Sequence, residues 1–234
     1  MFRRSRSEMI WIFFKLNIVL WREKMEKSKL LLYAITDRKL LRGRSLEASV
    51  DAALQGGVTI LQLREKNIEK EEFIKEALEI KDICIKHRVP LIINDNVEVC
   101  LQADADGVHL GQSDGSIAEA RKILGSNKII GATAHNVEEA VKAFNEGADY
   151  LGVGAAFGSK TKLDAKPIDV NEYKNICAAV DIPVVAIGGI NEENIQKLDG
   201  SGISGVAVIS GIFGKTNIRQ AAAGLFDMST DMFA

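Results

Sequence analysis

The chain has 234 residues, 47% of them hydrophobic, and a formal net charge of −2. This near-neutral balance with few aromatic residues gives no reason to expect a surface for nucleic-acid binding, so no nucleic-acid partner is expected. The length suits one barrel domain or two small domains. Three cysteines without disulfide or metal spacing favour a reducing compartment, and we expect a cytoplasmic protein.

Residues 1–24 differ from the rest of the chain, because three arginines precede an apolar run at 9–20 that polar residues interrupt twice. The run is shorter than the roughly 20 apolar residues that span a bilayer. It also lacks the small-residue cleavage site of a signal peptide. Three interpretations stay open: an interfacial anchor, a helix packed on the domain or on a neighbouring subunit, or translated sequence upstream of a natural start at Met25. We favour the last two, expect no membrane partner, and assign residues 25–234 to one catalytic domain.

From residue 31 onward, short apolar runs alternate with segments of helical character. Strands are predicted at 31–35, 58–63, 90–93, 107–110, 129–132, 150–153, 183–187 and 205–209, and helices at 45–55, 70–87, 97–102, 116–124, 136–146 and 170–180. Strands that alternate with helices on short loops are typical of a parallel α/β sheet. A doubly wound open sheet is the alternative, but the chain lacks its Gly-x-Gly-x-x-Gly turn after the first strand. The pattern therefore predicts a single (β/α)₈ TIM barrel with an extra N-terminal segment.

The last two predicted strands end in glycine and small hydroxyl residues. Gly188-Gly189 follows the first and Ser210-Gly211 follows the second. Glycine lets the backbone turn sharply or approach a ligand closely, and the loops after strands 7 and 8 of such a barrel frequently bind a phosphate. Asn191 is predicted to cap a helix after the seventh strand.

Charged residues follow the second, third and fourth strands. Alternation along the second strand places Gln62, Arg64 and Lys66 on one face, which suits an anionic ligand or, equally, a solvated strand end. Asp95 and Asp114 follow neighbouring strands and can meet at the barrel mouth. One or two carboxylates together with substrate phosphate oxygens are the usual ligands of Mg²⁺. Each aspartate alone is typical of a turn or a helix cap, but the pair beside two cations favours a metal–diphosphate site.

The loop after the sixth strand combines hydroxyls and lysines, which suits phosphate binding by Ser159, Thr161 and Lys162 or, alternatively, a plain exposed loop.

Across residues 31–213 the chain resembles the thiamine-phosphate synthase family. The resemblance is carried by Gln62-Leu-Arg-Glu-Lys66, Asn94-Asp95, His109-Leu-Gly-Gln-Ser-Asp114, Thr133-Ala-His135, Ser159-Lys-Thr-Lys162, Ile187-Gly-Gly-Ile190 and Ile209-Ser210. Each motif is weak alone, and their occurrence together in this order is specific. The resemblance implies a Mg²⁺-assisted transferase that couples 4-amino-5-hydroxymethyl-2-methylpyrimidine diphosphate with a thiazole phosphate, giving thiamine monophosphate and pyrophosphate.

The resemblance also implies a role for individual residues. The pyrimidine diphosphate would be bound by Gln62, Leu63, Arg64, Glu65, Lys66, Asn94, Thr133 and Lys162, and the thiazole phosphate by Ser159, Lys160, Thr161, Gly189, Ile209 and Ser210. Asp95 and Asp114 would hold Mg²⁺. Catalysis would rest on Arg64, Lys66 and Lys162, which stabilise the departing pyrophosphate, and no protein nucleophile is required.

The chain departs from the family pattern at two positions, with Gly158-Ser in place of Pro-Thr in the lysine loop and Thr133 in place of serine. Both changes keep the hydroxyls and the lysine, and either could alter affinity. A thiazole tautomerase-like isomerase and a silent thiazole-phosphate-binding protein are the alternative functions. The two aspartates and the Gln-x-Arg-Glu-Lys set favour the synthase. A homodimer is expected only by analogy with similar barrels, and the sequence does not decide which thiazole tautomer is used.

Overall fold

The computed structural model describes residues 25–158 and 167–234. Eight parallel strands form a closed barrel in which each strand pairs with the next and the last pairs with the first. They are β1 (Leu32–Ile35), β2 (Ile60–Leu63), β3 (Leu91–Asn94), β4 (Gly107–Leu110), β5 (Ile129–Ala134), β6 (Tyr150–Gly154), β7 (Val184–Ile187) and β8 (Gly205–Val208). The predicted (β/α)₈ barrel is therefore confirmed, whereas the predicted N-terminal segment 1–24 lies outside the described residues.

Helices cover the outside of the barrel. They are α1 (Arg38–Leu41), α2 (Leu46–Gln55), α3 (Lys70–His87), α4 (Val97–Gln102), α5 (Ile117–Leu124), α6 (Val137–Glu146), α7 (Val170–Ala179), α8 (Ser210–Phe213) and α9 (Ile218–Phe233), with 3₁₀ helices at Lys27–Leu30 and Ile195–Leu198. Within the described parts of the chain, none of these helices is long and apolar enough to cross a bilayer.

Side-chain caps explain why the helices begin where they do. A Ser, Asn or Asp at the N-cap accepts a hydrogen bond from a backbone N–H of the first turn, which otherwise has no partner. The caps of this kind are Asp37, Ser45, Asn96, Ser116, Asn136, Asp169 and Asn217. These short polar residues, placed just before apolar-periodic segments, are the features that made the helix starts predictable.

The helix predicted after Asn191 is the exception. The Asn191 side chain accepts from the N–H of Glu193 at 2.8 Å, two residues on. This Asx turn competes with a helical first turn. The chain then forms only the 3₁₀ helix Ile195–Leu198 before entering β8. The prediction of a cap at Asn191 is thus correct in its side-chain bond and wrong in the element that follows.

The apolar residues form two layers, as strand alternation requires. Leu61 and Leu63 belong to the larger cluster between the strands and the helices. Tyr33, Ile60 and Tyr150 belong to the smaller cluster inside the barrel. Every second residue of a strand therefore points into the barrel, and at the carboxyl ends of the strands these inward positions carry the polar side chains described next.

Candidate active site

The register of the strands brings the inward polar residues to one end of the barrel. Asn94 at the end of β3 is level with His109 on β4. Thr133 on β5 is level with Gly152 on β6. Active sites of this fold lie at this carboxyl-terminal face, because all eight strand-to-helix loops emerge there. The mouth is therefore the place where side chains from different strands can act on one ligand.

A continuous chain of hydrogen bonds crosses the inside of the barrel just below the mouth. The amide nitrogen of Gln62, whose side chain is buried, donates to the hydroxyl of Tyr33 at 2.6 Å. The hydroxyls of Tyr33 and Tyr150 are 2.7 Å apart. Tyr150 Oη lies 3.0 Å from His109 Nδ1, and His109 Nε2 lies 3.0 Å from Thr133 Oγ1. Five side chains from β1, β2, β4, β5 and β6 are thus linked into one network.

Glycines on β5 and β6 make room for this network. A Cβ atom on Gly131 would lie 2.1 Å from the ring of Tyr150, and one on Gly152 would lie 3.1 Å from Cε1 of His109. The rings of Tyr33 and Tyr150 meet edge to face, with centroids 5.7 Å apart. Only glycine at position 131 therefore lets the Tyr150 hydroxyl lie between Tyr33 and His109.

Burial keeps the network uncharged. Desolvation lowers the pKa of His109 to about 4, and the negative charge of Asp114 opposes this shift without cancelling it. Desolvation also raises the pKa of Tyr33 and of Tyr150 above the usual value for a phenol. The imidazole and both phenols are thus neutral at neutral pH, so the chain acts through hydrogen bonds and not through charge.

Two cations stand at the mouth after β2, each held by a carboxylate. Arg64 Nη1 is 3.3 Å from Asp37 Oδ2, and Lys66 Nζ is 2.9 Å from Asp95 Oδ2. The Lys66 side chain is 53% exposed, so its ammonium can meet a ligand from solvent. Arg64 and Lys66 are thus bonded to carboxylates at the mouth, and Gln62 is bonded to Tyr33 below it. That the three bind one anionic ligand stays a prediction.

Glu65, between the two cations, points elsewhere. Arg38 binds both of its carboxylate oxygens, at 3.0 and 3.1 Å, and also contacts Glu76 Oε1 on α3 at 2.6 Å. The Glu65 side chain is 2% exposed. Charge-assisted bidentate pairs of this kind fix geometry strongly. Glu65 therefore anchors the loop after β2 to α1 and α3, and so positions the cations on either side of it.

The two predicted metal aspartates follow β3 and β4. Asp95 has a left-handed φ of 62°, and its N–H donates to the carbonyl of His109 at 2.8 Å. Asp114 Oδ2 accepts from the N–H of Gly111 at 2.9 Å. Within residues 25–158 and 167–234, no group of three or more His, Cys, Asp or Glu side chains could hold a metal ion. A metal at this mouth would thus need further ligands from a bound substrate.

The turn after β7 consists of two glycines, so it presents backbone groups and no side chains. Gly188 and Gly189 have φ values of 108° and 69°, and a Cβ atom on Gly189 would lie 2.4 Å from the carbonyl oxygen of Gly158. Phe157 N–H donates to the carbonyl of Gly188 at 3.0 Å. The loop after β6 therefore leaves the barrel directly beside the turn after β7. The predicted residues Ser159, Lys160, Thr161 and Lys162 lie outside the described residues.

The turn after β8 packs against the turn after β7. Ile209 precedes α8, and the exposed Ser210 is its first residue. A Cβ atom on Gly211 would lie 2.7 Å from the carbonyl oxygen of Ile190. The first N–H groups of a helix have no acceptor within the helix. Two glycine turns with available amide groups thus stand side by side, which is the usual composition of the phosphate site of this fold.

Sequence reasoning missed two residues of the interior chain, Tyr33 and Tyr150. The available signal was their position, since each occupies an inward-pointing place in a strand that otherwise carries apolar residues. Leu63 faces the helices and can reach the mouth only through its backbone. His135, the last residue of the Thr133-Ala-His135 motif, bonds Glu139 at 2.8 Å and so belongs to the start of α6.

Comparison with known proteins identifies the family of this chain. A family model described as thiamine monophosphate synthase matches residues 32–212. Thiamine-phosphate synthase of Clostridium acetobutylicum is 49% identical over 197 residues, covering 84% of this chain and 93% of that protein. The enzyme of Alkaliphilus oremlandii is 48% identical, covering 83% and 93%. The solved thiamine phosphate pyrophosphorylase of Pyrococcus furiosus superposes with a TM-score of 0.82 at 38% identity, covering 89% of this chain and 99% of that one.

Proposed function

Because the chain belongs to the thiamine monophosphate synthase family, we infer that its barrel joins 4-amino-5-hydroxymethyl-2-methylpyrimidine diphosphate to a thiazole phosphate. The reaction is a transfer of the pyrimidine methylene group from pyrophosphate to the thiazole nitrogen, which yields thiamine monophosphate. The enzyme is a transferase with small-molecule substrates. The tautomerase-like and silent-binder alternatives are not favoured, because the relatives that match most of the chain are synthases.

The observation that carries the assignment of residues is the division of the mouth into two halves. Side chains after β2, β3 and β4 supply two cations and two carboxylates, which suits a diphosphate. Backbone turns after β7 and β8 supply amide groups, which suits a monophosphate. We assign the first half to the pyrimidine diphosphate and the second to the thiazole phosphate. The buried network that links Gln62 on β2 to Thr133 on β5 through Tyr33, Tyr150 and His109 ends at two residues of the first half.

In the pyrimidine half, Gln62, Asn94 and Thr133 point inward and would contact the pyrimidine ring, while Arg64, Lys66 and Lys162 would bind the diphosphate. Leu63 would contribute only through its backbone, and Glu65 would act by positioning its neighbours through Arg38. Thr133 keeps the hydroxyl expected of serine at this position, and that hydroxyl is bonded to His109.

The chemistry requires charge stabilisation and alignment. When the carbon–oxygen bond to pyrophosphate breaks, negative charge grows on the leaving group, and Arg64, Lys66 and Lys162 would stabilise it. The pyrimidine carbocation left behind is then attacked by the thiazole nitrogen. Anchoring the thiazole phosphate would hold that nitrogen in line and reduce the entropic cost of the encounter. No protein nucleophile is needed, and the raised pKa values of the buried Cys84 and Cys100, both about 12, agree with that.

Mg²⁺ fits the donors present. Asp95 and Asp114 are hard oxygen donors on the loops of adjacent strands, and Mg²⁺ is commonly held by one or two carboxylates plus phosphate oxygens and water. The ion would neutralise charge on the departing pyrophosphate. The ion pair between Lys66 and Asp95 places a cation beside one carboxylate, so metal and lysine would share the same diphosphate.

In the thiazole half, Gly189, Ile209 and Ser210 would bind the phosphate through the turns after β7 and β8. Ser159, Lys160 and Thr161 would complete this half. Support comes from Gly158, whose carbonyl lies against Gly189, because the loop that carries those three residues starts at this turn.

Two further proposals concern the setting of the enzyme. A cytoplasmic location is supported by three free thiols. A homodimer is proposed by analogy with similar barrels. Sedimentation equilibrium of the full chain tests the dimer, and a monomer at micromolar concentration would contradict it.

The function is tested by measuring pyrophosphate release and thiamine monophosphate formation from the purified full chain. The assay contains the pyrimidine diphosphate, thiazole phosphate and Mg²⁺, and each is omitted in turn. We expect equal amounts of both products only when all three are present. Product formation that is undiminished in a chelator would refute the metal assignment, and binding of thiazole phosphate without turnover under any condition would refute the synthase.

A further inference from the structure

Each member of the hydrogen-bond chain inside the barrel has few protons to donate. Once the direction of the bond at one end is known, the direction of every other bond follows. A neutral phenol has one proton to donate, and so does a neutral imidazole. Tyr33 accepts from the Gln62 amide, so its own proton is left for Tyr150. Tyr150 then has only its single proton to give to His109.

The remaining assignments follow in order. Because Nδ1 of His109 accepts from Tyr150, the imidazole proton must be on Nε2, where it is donated to Thr133 Oγ1. A doubly protonated imidazole does not fit. Its Nδ1–H would donate to the Tyr150 hydroxyl, and the Tyr150 proton would then have to point towards Tyr33. The Tyr33 proton would have no acceptor in the chain. Every proton is used only when all the bonds run in one direction, from Gln62 to Thr133.

We propose that Tyr33, Tyr150 and His109 are positioning residues which set the donor and acceptor polarity of the mouth. With its nitrogen bound to Tyr33, Gln62 presents its oxygen as an acceptor. With its oxygen accepting from His109, Thr133 keeps its hydroxyl proton as a donor. A pyrimidine with an exocyclic amino group and ring nitrogens offers the complementary donor and acceptors. This proposal rests on the proposed assignment of Gln62 and Thr133 to the pyrimidine half.

The alternative arrangement is a complete reversal. If the Gln62 amide turned over, its oxygen would accept from Tyr33, each following bond would reverse, and the His109 proton would move to Nδ1. Gln62 would then present a donor and Thr133 an acceptor. The two arrangements differ in one measurable property, the tautomer of His109, which can be read without any substrate.

The first measurement is therefore ¹⁵N NMR of histidine-labelled full chain without ligands, with the His109 signals assigned by their absence in His109→Gln. We expect a protonated, pyrrole-type Nε2 and an unprotonated, pyridine-type Nδ1 at neutral pH. The opposite tautomer, or an imidazolium, would overturn the proposal. Failure of the wild type to make thiamine monophosphate would instead overturn the proposed function and leave this tautomer measurement intact.

Two variants test whether the chain positions the substrate-binding groups. Tyr150→Phe removes the donor to Nδ1, so the Nε2–H tautomer should lose its preference. Tyr33→Phe keeps that donor, so the tautomer should persist while Gln62 loses its acceptor. In both variants we expect the KM for the pyrimidine diphosphate to rise roughly 3- to 10-fold, the effect of one hydrogen bond, with the KM for thiazole phosphate unchanged.

Tyr173→Phe is the matched control. Tyr173 is also fully buried, and its hydroxyl donates to the carbonyl of Val153 at 3.0 Å, outside the barrel interior. It should lose stability without a change in either KM. An unchanged pyrimidine KM in both Tyr33→Phe and Tyr150→Phe would overturn the positioning role. If Tyr150→Phe does not fold, the wild-type tautomer and Tyr33→Phe still decide.

Discussion

At the scale of single residues, Asp95 is the sharpest test of the metal assignment. Its carboxylate bonds Lys66, and its backbone bonds the strand of His109, so Asp95→Asn keeps the shape and removes the charge. We expect turnover to fall by roughly 100- to 1,000-fold, because charge stabilisation at the leaving group is lost. Binding of thiazole phosphate, measured by calorimetry, should stay unchanged because we assign that site to the turns after β7 and β8.

Asp199→Asn is the control for this substitution, because Asp199 is exposed just before β8, at the opposite end of the barrel. It should match the wild type in both assays. An equal loss of turnover and thiazole-phosphate binding in Asp95→Asn would contradict the division of the mouth into two halves.

The lowered pKa of His109 leads to a separate prediction about stability. The folded-state pKa of about 4 lies below the usual imidazole value of 6.5, so between these values the unfolded chain binds more protons than the folded one. The free energy of unfolding should therefore fall as pH drops from 7 towards 4, by roughly 2–4 kcal/mol from this group.

Urea unfolding at pH 7, 6 and 5 checks this prediction, with His109→Gln as the reference that lacks the titrating group. The variant should lose less stability than the wild type over this range. If the free energy of unfolding changed with pH in the same way in both proteins, His109 would not be a group whose pKa is lowered by folding.

At the scale of elements, the turn after β7 depends on Gly189. Its φ of 69° is strained for other residues, and a Cβ atom would lie 2.4 Å from the Gly158 carbonyl oxygen. Gly189→Ala should push the turn and the start of the β6 loop apart. We expect the KM for thiazole phosphate to rise at least about tenfold, with the KM for the pyrimidine diphosphate little changed, as measured by initial rates.

Gly200→Ala is the matched control for Gly189→Ala. Gly200 also has a positive φ, 67°, but no atom lies within 4 Å of the site of its Cβ, and it precedes β8 at the far end of the barrel. Its loss should cost stability and leave both KM values unchanged. A higher pyrimidine KM in Gly189→Ala would show that the turn serves both substrates.

Local elements could be predicted from the sequence, whereas contacts between distant residues could not. Period-2 and helical patterns with local caps such as Ser116 and Asn136 predicted the strands and most helices, because the determining contacts lie within a few residues. The bond between Tyr33 and Tyr150 joins residues 117 positions apart. It depends on the strand register and on Gly131, which local patterns do not encode. The pairing of Glu65 with Arg38 was missed for the same reason.

At the scale of the whole molecule, all eight strands of the closed barrel lie within the described residues. The β1–β8 pairing that seals it lies within the described residues, and the family match begins at residue 32. We expect a variant that begins at Met25 to keep the melting temperature and the rate of pyrophosphate release of the full chain. Calorimetry and the release assay check this expectation. A slower or less stable truncated protein would assign residues 1–24 a role in the barrel.

With the pyrimidine bound as proposed, the fit of Tyr150 over Gly131 limits how the substrate range could be redesigned. Space for a bulkier pyrimidine cannot be gained at position 131, which already has no side chain, and shrinking Tyr150 removes a member of the hydrogen-bond chain together with the ring. A smaller residue in place of Tyr150 would therefore enlarge the site and weaken its selectivity. A library for new pyrimidines should hold both positions fixed and vary the loops above them.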